Sequence, residues 1–148
     1  MDSRKFYCLI LCLFFLNPVF AFILITEEEA NKEAQVSQDY VVELSQQNSL
    51  PVIKLINPEL LSVAIKSPIS IELQFIKKDV PIDPKTFQAL YGSFKLDVTK
   101  RILEEAEIDQ QFLKVKNAKL PKGKHLFLVQ VADKKGRVAK KIFKIRVQ

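Results

Sequence analysis

Past Pro51 the chain repeatedly alternates apolar and polar side chains. In residues 69–75, Ile69, Ile71, Leu73 and Phe75 fall on one side of an extended backbone and Ser70, Glu72 and Gln74 on the other. A period of two is the signature of a half-buried antiparallel strand and is incompatible with a helical stripe. Residues 94–98 alternate in the same way, and 52–56 and 113–116 are shorter candidates. Residues 126–132 are apolar on both faces, as in a central strand. In 138–147, Ala139, Phe143, Ile145 and Val147 sit among Lys140, Lys141, Lys144 and Arg146. Breakers separate these runs: Asn57-Pro58, Ser67-Pro68, Pro81, Pro84, Gly92, Pro121 to Gly123 and Asp133 to Gly136. Short strands punctuated this way predict an all-β, antiparallel, immunoglobulin-like sandwich of about seven strands. Its expected extent is 49–148, with a short helix over 100–111 between strands.

The first 21 residues read as an export signal. Arg4 and Lys5 precede an unbroken apolar run from Phe6 to Leu16; Asn17-Pro18 then breaks it before Val19-Phe20-Ala21, whose ends suit the −3 and −1 positions of a cleavage site. The expected location is periplasmic or secreted, with the mature chain starting at Phe22. The alternative is an inner-membrane anchor, because apolar character resumes and residues 6–25 approach the length that crosses a bilayer. Both cysteines, Cys8 and Cys12, lie inside this segment, so a cleaved chain has neither a disulfide nor a thiolate.

Residues 22–48 read as an acidic, polar leader. Between 22 and 44, six acids oppose only Lys32, whereas 45–148 carry 20 Lys and Arg against 10 Asp and Glu. Thr26 and Glu29 have the spacing of a helix-start capping box, and Ser45 to Ser49 looks like a linker. The leader is expected to be mobile or loosely docked, and its charge suggests that it folds back over the basic domain and occludes it.

Leu120, Pro121 and Gly123, the strand 125–131, Asp133 and Gly136 together resemble the last strands of bacterial Ig-like (fibronectin III-like) domains. Residues 67–75, Pro81 to Pro84 and 96–99 are similar to the upstream part of small exported proteins of that kind. The resemblance implies a fold and leaves function open, because one sandwich hosts many tasks. It also implies a structural role for His125, which stands where the family has a tyrosine bonding to backbone at a corner between sheets.

Several chemistries lack their residues. There is no Gly-x-Ser-x-Gly and a single histidine must serve any Ser/His pair, so nucleophilic catalysis is poorly supported, and three unclustered glycines make no phosphate-cradling loop. Exported copper carriers are sandwiches of similar layout, but they use histidines, one at the mature N-terminus, and here that position is Phe22. Glu104, Glu105, Glu107 and Asp109 read as a solvated helix face, and Asp79, Asp83 and Asp133 as turn residues. No metal, no cofactor and no catalytic residue is expected.

What remains is charge. Residues 114–148 hold 12 Lys and Arg and one acid, Asp133. Lys114 and Lys116 share one strand face, Lys134, Lys135 and Arg137 form a turn, and Lys140, Lys144 and Arg146 share another face. If the two strands are neighbours, these eight make one positive surface that attracts an anionic partner. The reading is an exported, non-catalytic binding or adaptor module whose partner is a protein or an anionic envelope component. Nucleic acid is disfavoured by the export signal, and a membrane is a partner only if the first segment stays uncut. Alternatives are an accessory subunit of an envelope assembly and a carboxylate-dependent hydrolase.

Overall fold

The alternating segments close into two sheets packed face to face. The computed structural model describes residues 21–34, 50–58 and 64–148. Its elements are β1 (Phe22–Ile23), α1 (Glu27–Ala34), β2 (Val52–Asn57), β3 (Ile69–Ile76), β4 (Ile82–Tyr91), β5 (Leu96–Asp97), α2 (Thr99–Glu105), β6 (Ala106–Ile108), β7 (Phe112–Lys119), β8 (Gly123–Asp133) and β9 (Val138–Val147). One sheet runs β1-β7-β3-β2 with β6 also on β7; the other runs β5-β4-β8-β9. Among the described residues the strand pairs are antiparallel except β1 with β7, and an isolated bridge joins Ile65 to Val147 in parallel. The fold class is the predicted all-β sandwich.

The core is made by the inward-facing set. Leu73 and Phe75 of β3 and Leu113 and Val115 of β7 face Phe87, Phe127, Val129, Phe143 and Ile145 of the second sheet. Phe75 and Phe87 meet across the layers with ring centroids 6.4 Å apart. Burying side chains of this size contributes about 1.5–3 kcal/mol each.

Three expectations change. Residues 82–91 form a ten-residue strand despite Pro84. Its register against β8 slips between Asp83 and Gln88, so Pro84 needs no ladder bond there. Thr86 Oγ1 fills the gap, accepting from the Ala132 N–H at 2.8 Å and donating to the Asp83 carbonyl at 2.7 Å. Of residues 94–98, expected as a strand, only Leu96 and Asp97 pair, as β5, while Phe94 and Lys95 lie in the preceding turn and Phe94 is 70% exposed. The helix expected over 100–111 stops at Glu105, and the chain reverses through β6 into β7. Asp109 makes that reversal: its Oδ1 accepts the N–H groups of Gln111 (2.6 Å) and Phe112 (2.7 Å).

The leader also differs. Over its described part, 22–34, it is docked rather than loose. Phe22 and Ile23 pair with Ala118 and Lys119, and Leu24 and Ile25 are sealed in the core. The core therefore recruits residues upstream of 49, where the domain was expected to start. The capping box forms as spaced, with Glu29 N–H on Thr26 Oγ1 (3.2 Å) and Thr26 N–H on Glu29 Oε2 (2.9 Å). Residues 1–20 of the expected signal and 35–48 of the leader lie outside the described residues.

Candidate binding surface

The eight cations singled out in the sequence do not form one surface. β7 belongs to the first sheet and β9 to the second, so Lys114 and Lys116 point away from Lys140, Lys144 and Arg146 rather than beside them. Lys114 is also answered by acid: the register places it opposite Glu72 and Glu107, its Nζ is 3.4 Å from Glu72, and it lies 5.2 Å from the Phe112 ring centroid.

The β8–β9 turn is an ion-pair clamp. Lys135 Nζ reaches Asp79 at 2.6 Å, while the Arg137 guanidinium bonds Asp79 and also Asp133, the latter at 2.7 Å. Asp133 further accepts the N–H groups of Lys135 (2.9 Å) and Arg137 (3.1 Å). Burial pushes the Asp133 carboxyl up, yet these N–H groups and the Arg137 guanidinium outweigh it and hold it below its usual range. Arg137 first, then Lys135, holds Asp79 well below the carboxylate range. The clamp ties the loop before β4 to the hairpin tip and consumes the charge that the turn was expected to present. Of its cations only Lys134 has no ion-pair partner among the described residues.

A smaller cationic surface survives on the outside of the second sheet. Along β9, inward Ala139, Phe143, Ile145 and Val147 alternate with outward Lys140, Ile142, Lys144 and Arg146. The ladder sets Lys140 opposite Gln130, Ile142 opposite Leu128, Lys144 opposite Leu126 and Arg146 opposite Lys124. Lys124 was missed in the sequence, although the hairpin about Asp133 to Gly136 fixes its pairing. Directly opposed side chains have Cβ atoms about 5 Å apart and diagonal ones about 7–8 Å, so Lys124, Lys144 and Arg146 form a tight triad. None of the three, nor Lys140 or Lys141, has an ion-pair partner among the described residues. Beyond the triad, half-buried Leu90, Leu128 and Ile142 form an apolar row, and Gln88 bonds Gln130 and Asp97.

His125 lies inside, 2% exposed. Its Nε2 is 2.8 Å from the Pro121 carbonyl, which can only accept, so Nε2 carries the proton and Nδ1 takes the Tyr91 hydroxyl proton at 3.0 Å. Burial pushes the imidazole down, opposed by its bond to Pro121, and pushes the Tyr91 hydroxyl up to about 12. Both ring nitrogens are thus spent on structure. Glu104, Glu105 and Glu107 are exposed, and Asp109 serves its turn. Among the described residues, no three of His, Cys, Asp and Glu converge on a possible metal position.

Three of the leader's four described acids have partners outside the cationic surface's triad. Glu29 grips Arg101 through two bonds, 2.9 and 2.8 Å, Glu33 accepts from the Ser93 N–H (2.7 Å) and hydroxyl (2.8 Å), and Glu28 pairs with Lys32 at 2.9 Å. Glu28 and Glu29 are thus spent within α1 and on α2 rather than on the basic tail.

No family model and no curated protein matches the chain. Among solved structures it is similar to CopC from Methylosinus trichosporium OB3b, at 16% identity over 58% of this chain and 80% of that one, with a TM-score of 0.40.

Proposed function

We propose that the chain is an exported, non-catalytic β-sandwich module that holds an anionic partner, a protein or another envelope component, against the outer face of β8 and β9. The observation that carries this reading is Lys124 standing directly opposite Arg146, with Lys144 one step along and, among the described residues, no carboxylate paired with any of them. Like charges in register destabilise a sheet. Lys114 and Arg137 differ in being answered, by Glu72 and Asp133 respectively. An anion supplied from outside removes the repulsion and is attracted in a salt-dependent way.

Titrating the protein with polyglutamate at several salt concentrations tests the reading. Affinity is expected to fall steeply with salt and to drop at least tenfold in K124Q/K144Q/R146Q. Binding unchanged in that variant contradicts it.

A second reading, an accessory subunit, draws on the other sheet. Its outer face exposes Val52 (40%) opposite half-buried Ile76 and near half-buried Phe112, and exposes Ile56 (41%) farther along β2 beyond Lys54, apolar side chains suited to contact with another chain. Co-purification from the envelope that is lost in V52S/I56S but kept in the triad variant favours it.

A further inference from the structure

β9 is the last strand of its sheet and has ten residues, whereas β5, at the other end, has two. One bridge fixes which of its backbone groups face outward. The Ile65 N–H donates to the Arg146 carbonyl at 2.9 Å and the Gln148 N–H to the Ile65 carbonyl at 3.0 Å, on the side away from β8. Backbone groups alternate in direction along a strand, so Lys140, Ile142 and Lys144 also turn their N–H and C=O groups away from β8. Among the described residues no hydrogen bond is made to these groups. Such a row is a template for one more strand.

The neighbouring side chains restrict which strand fits. Ala139, Phe143, Ile145 and Val147 of β9 face inward and are each 4% exposed. Lys141 stands on the same row, directly opposite buried Val129, and is exposed. A lysine on an inward row reaches water only over the free edge, with its stem along apolar surface and its ammonium beyond it. A strand laid along that edge covers the ammonium, and burying an unpaired charge is costly. Among the described residues Lys141 has no ion-pair partner of its own. An inward charge on an edge strand therefore turns neutral strands away. It turns away a second copy as well: two β9 strands paired antiparallel about Ile142 set Lys140 against Lys144 and lay both Lys141 side chains inward. A strand with a carboxylate at the inward position is admitted. The outward row repeats the demand, with Lys140 and Lys144 flanking Ile142.

Resting on the reading of β8 and β9 as the anion-binding surface, we infer that the partner is an extended acidic segment of another protein, added along the free edge of β9. Between Lys140 and Lys144 it presents acid, acid, apolar, apolar, acid. Carboxylates lie beside Lys140 and Lys144 outside and beside Lys141 inside, and apolar side chains lie beside Ile142 and Phe143. Main-chain bonds along the edge hold the segment, and its carboxylates select it.

The test titrates the full chain with a capped, fluorescent peptide, Glu-Glu-Val-Val-Glu, and with its reversal, since an added strand runs in either direction; the tighter of the two is the parent. Two derivatives of equal charge carry N-methyl groups on alternate residues, one set turned towards β9 and the other away. One derivative is expected to lose at least tenfold in affinity and the other less than threefold. Derivatives that match one another, or a parent that does not bind while polyglutamate does, overturn the added strand and leave the cationic face standing. Failure of both the peptide and polyglutamate to bind overturns both. A wild-type dimer that excludes the peptide puts a second copy on the edge and overturns the acidic partner. Replacing the inward glutamate of the peptide by valine is expected to weaken it at least fivefold against the wild-type chain and to strengthen it against Lys141→Val. The same preference in both chains overturns the assignment of Lys141.

Discussion

Residues 22–34 and the β8–β9 hairpin are both charged attachments to one core, and they spend their charge differently. The N-terminal segment is acidic, and its described acids are largely answered: Glu29 by Arg101, Glu33 by Ser93 and Glu28 by Lys32. Gly92 helps, because at φ 69° it tolerates the turn and has no Cβ where the Glu33 carboxylate lies. The hairpin is basic. Its tip is answered by Asp79 and Asp133, but among the described residues the cations on the outward face of its strands have no ion-pair partner. Net charge alone hides this division: an answered charge holds the fold, and an unanswered one is available to a partner.

The largest effect that sharpens the contrast is at Leu24. Leu24→Asp puts a carboxylate where exposure is 0% and is expected to cost at least about 4 kcal/mol, seen as loss of the cooperative thermal transition. If the segment were a loose leader, the melt would not move. Tyr91→Phe removes the donor to His125 Nδ1 and is expected to cost about 1–2 kcal/mol in a urea titration.

Glu29 comes next. Its carboxyl is pulled from 4.5 to about 2, chiefly by the Arg101 side chain, with burial opposing and Thr26 assisting. A carboxyl lower in the folded state stabilises above its unfolded value, so this contribution is present above pH 4.5 and is lost as pH falls towards 2. For a part-exposed pair the size is about 1 kcal/mol. Glu29→Gln is expected to lose that amount at pH 7 and to show a flatter acid limb than the parent. Equal acid limbs contradict the pairing. Smallest in stability is Lys124→Gln, which relieves repulsion from Arg146 and is expected to raise stability by a few tenths of a kcal/mol while weakening polyanion binding.

The sandwich was legible because period-two patterning reports which face is buried, and 69–75, 126–132 and 138–147 all lie within strands. Pro84 concealed β4, since proline penalises a ladder only where its missing N–H is needed, and Thr86 supplies the bond instead. Residues 106–108 concealed β6, because a short mixed run fits a helix as well as a strand until Asp109 sets the turn. Residues 22–25 concealed the docking of the leader, since an apolar run reads the same for a bilayer as for a core. At the surface, the sequence shows which strand faces are basic but not which acids answer them. Asp79 is 58 residues from Arg137, and only the fold brings them together. Lys124 needed the hairpin register, which pairs it with Arg146.

The central claim is that position, not total charge, makes the cationic surface. Two variants that each remove three charges test it directly: K124Q/K144Q/R146Q on the outer face of β8 and β9, and K114Q/K116Q/K134Q on β7 and the hairpin tip. With both folded, the first is expected to lose at least tenfold in polyglutamate affinity at low salt and the second less than threefold. Equal losses in the two would contradict the account.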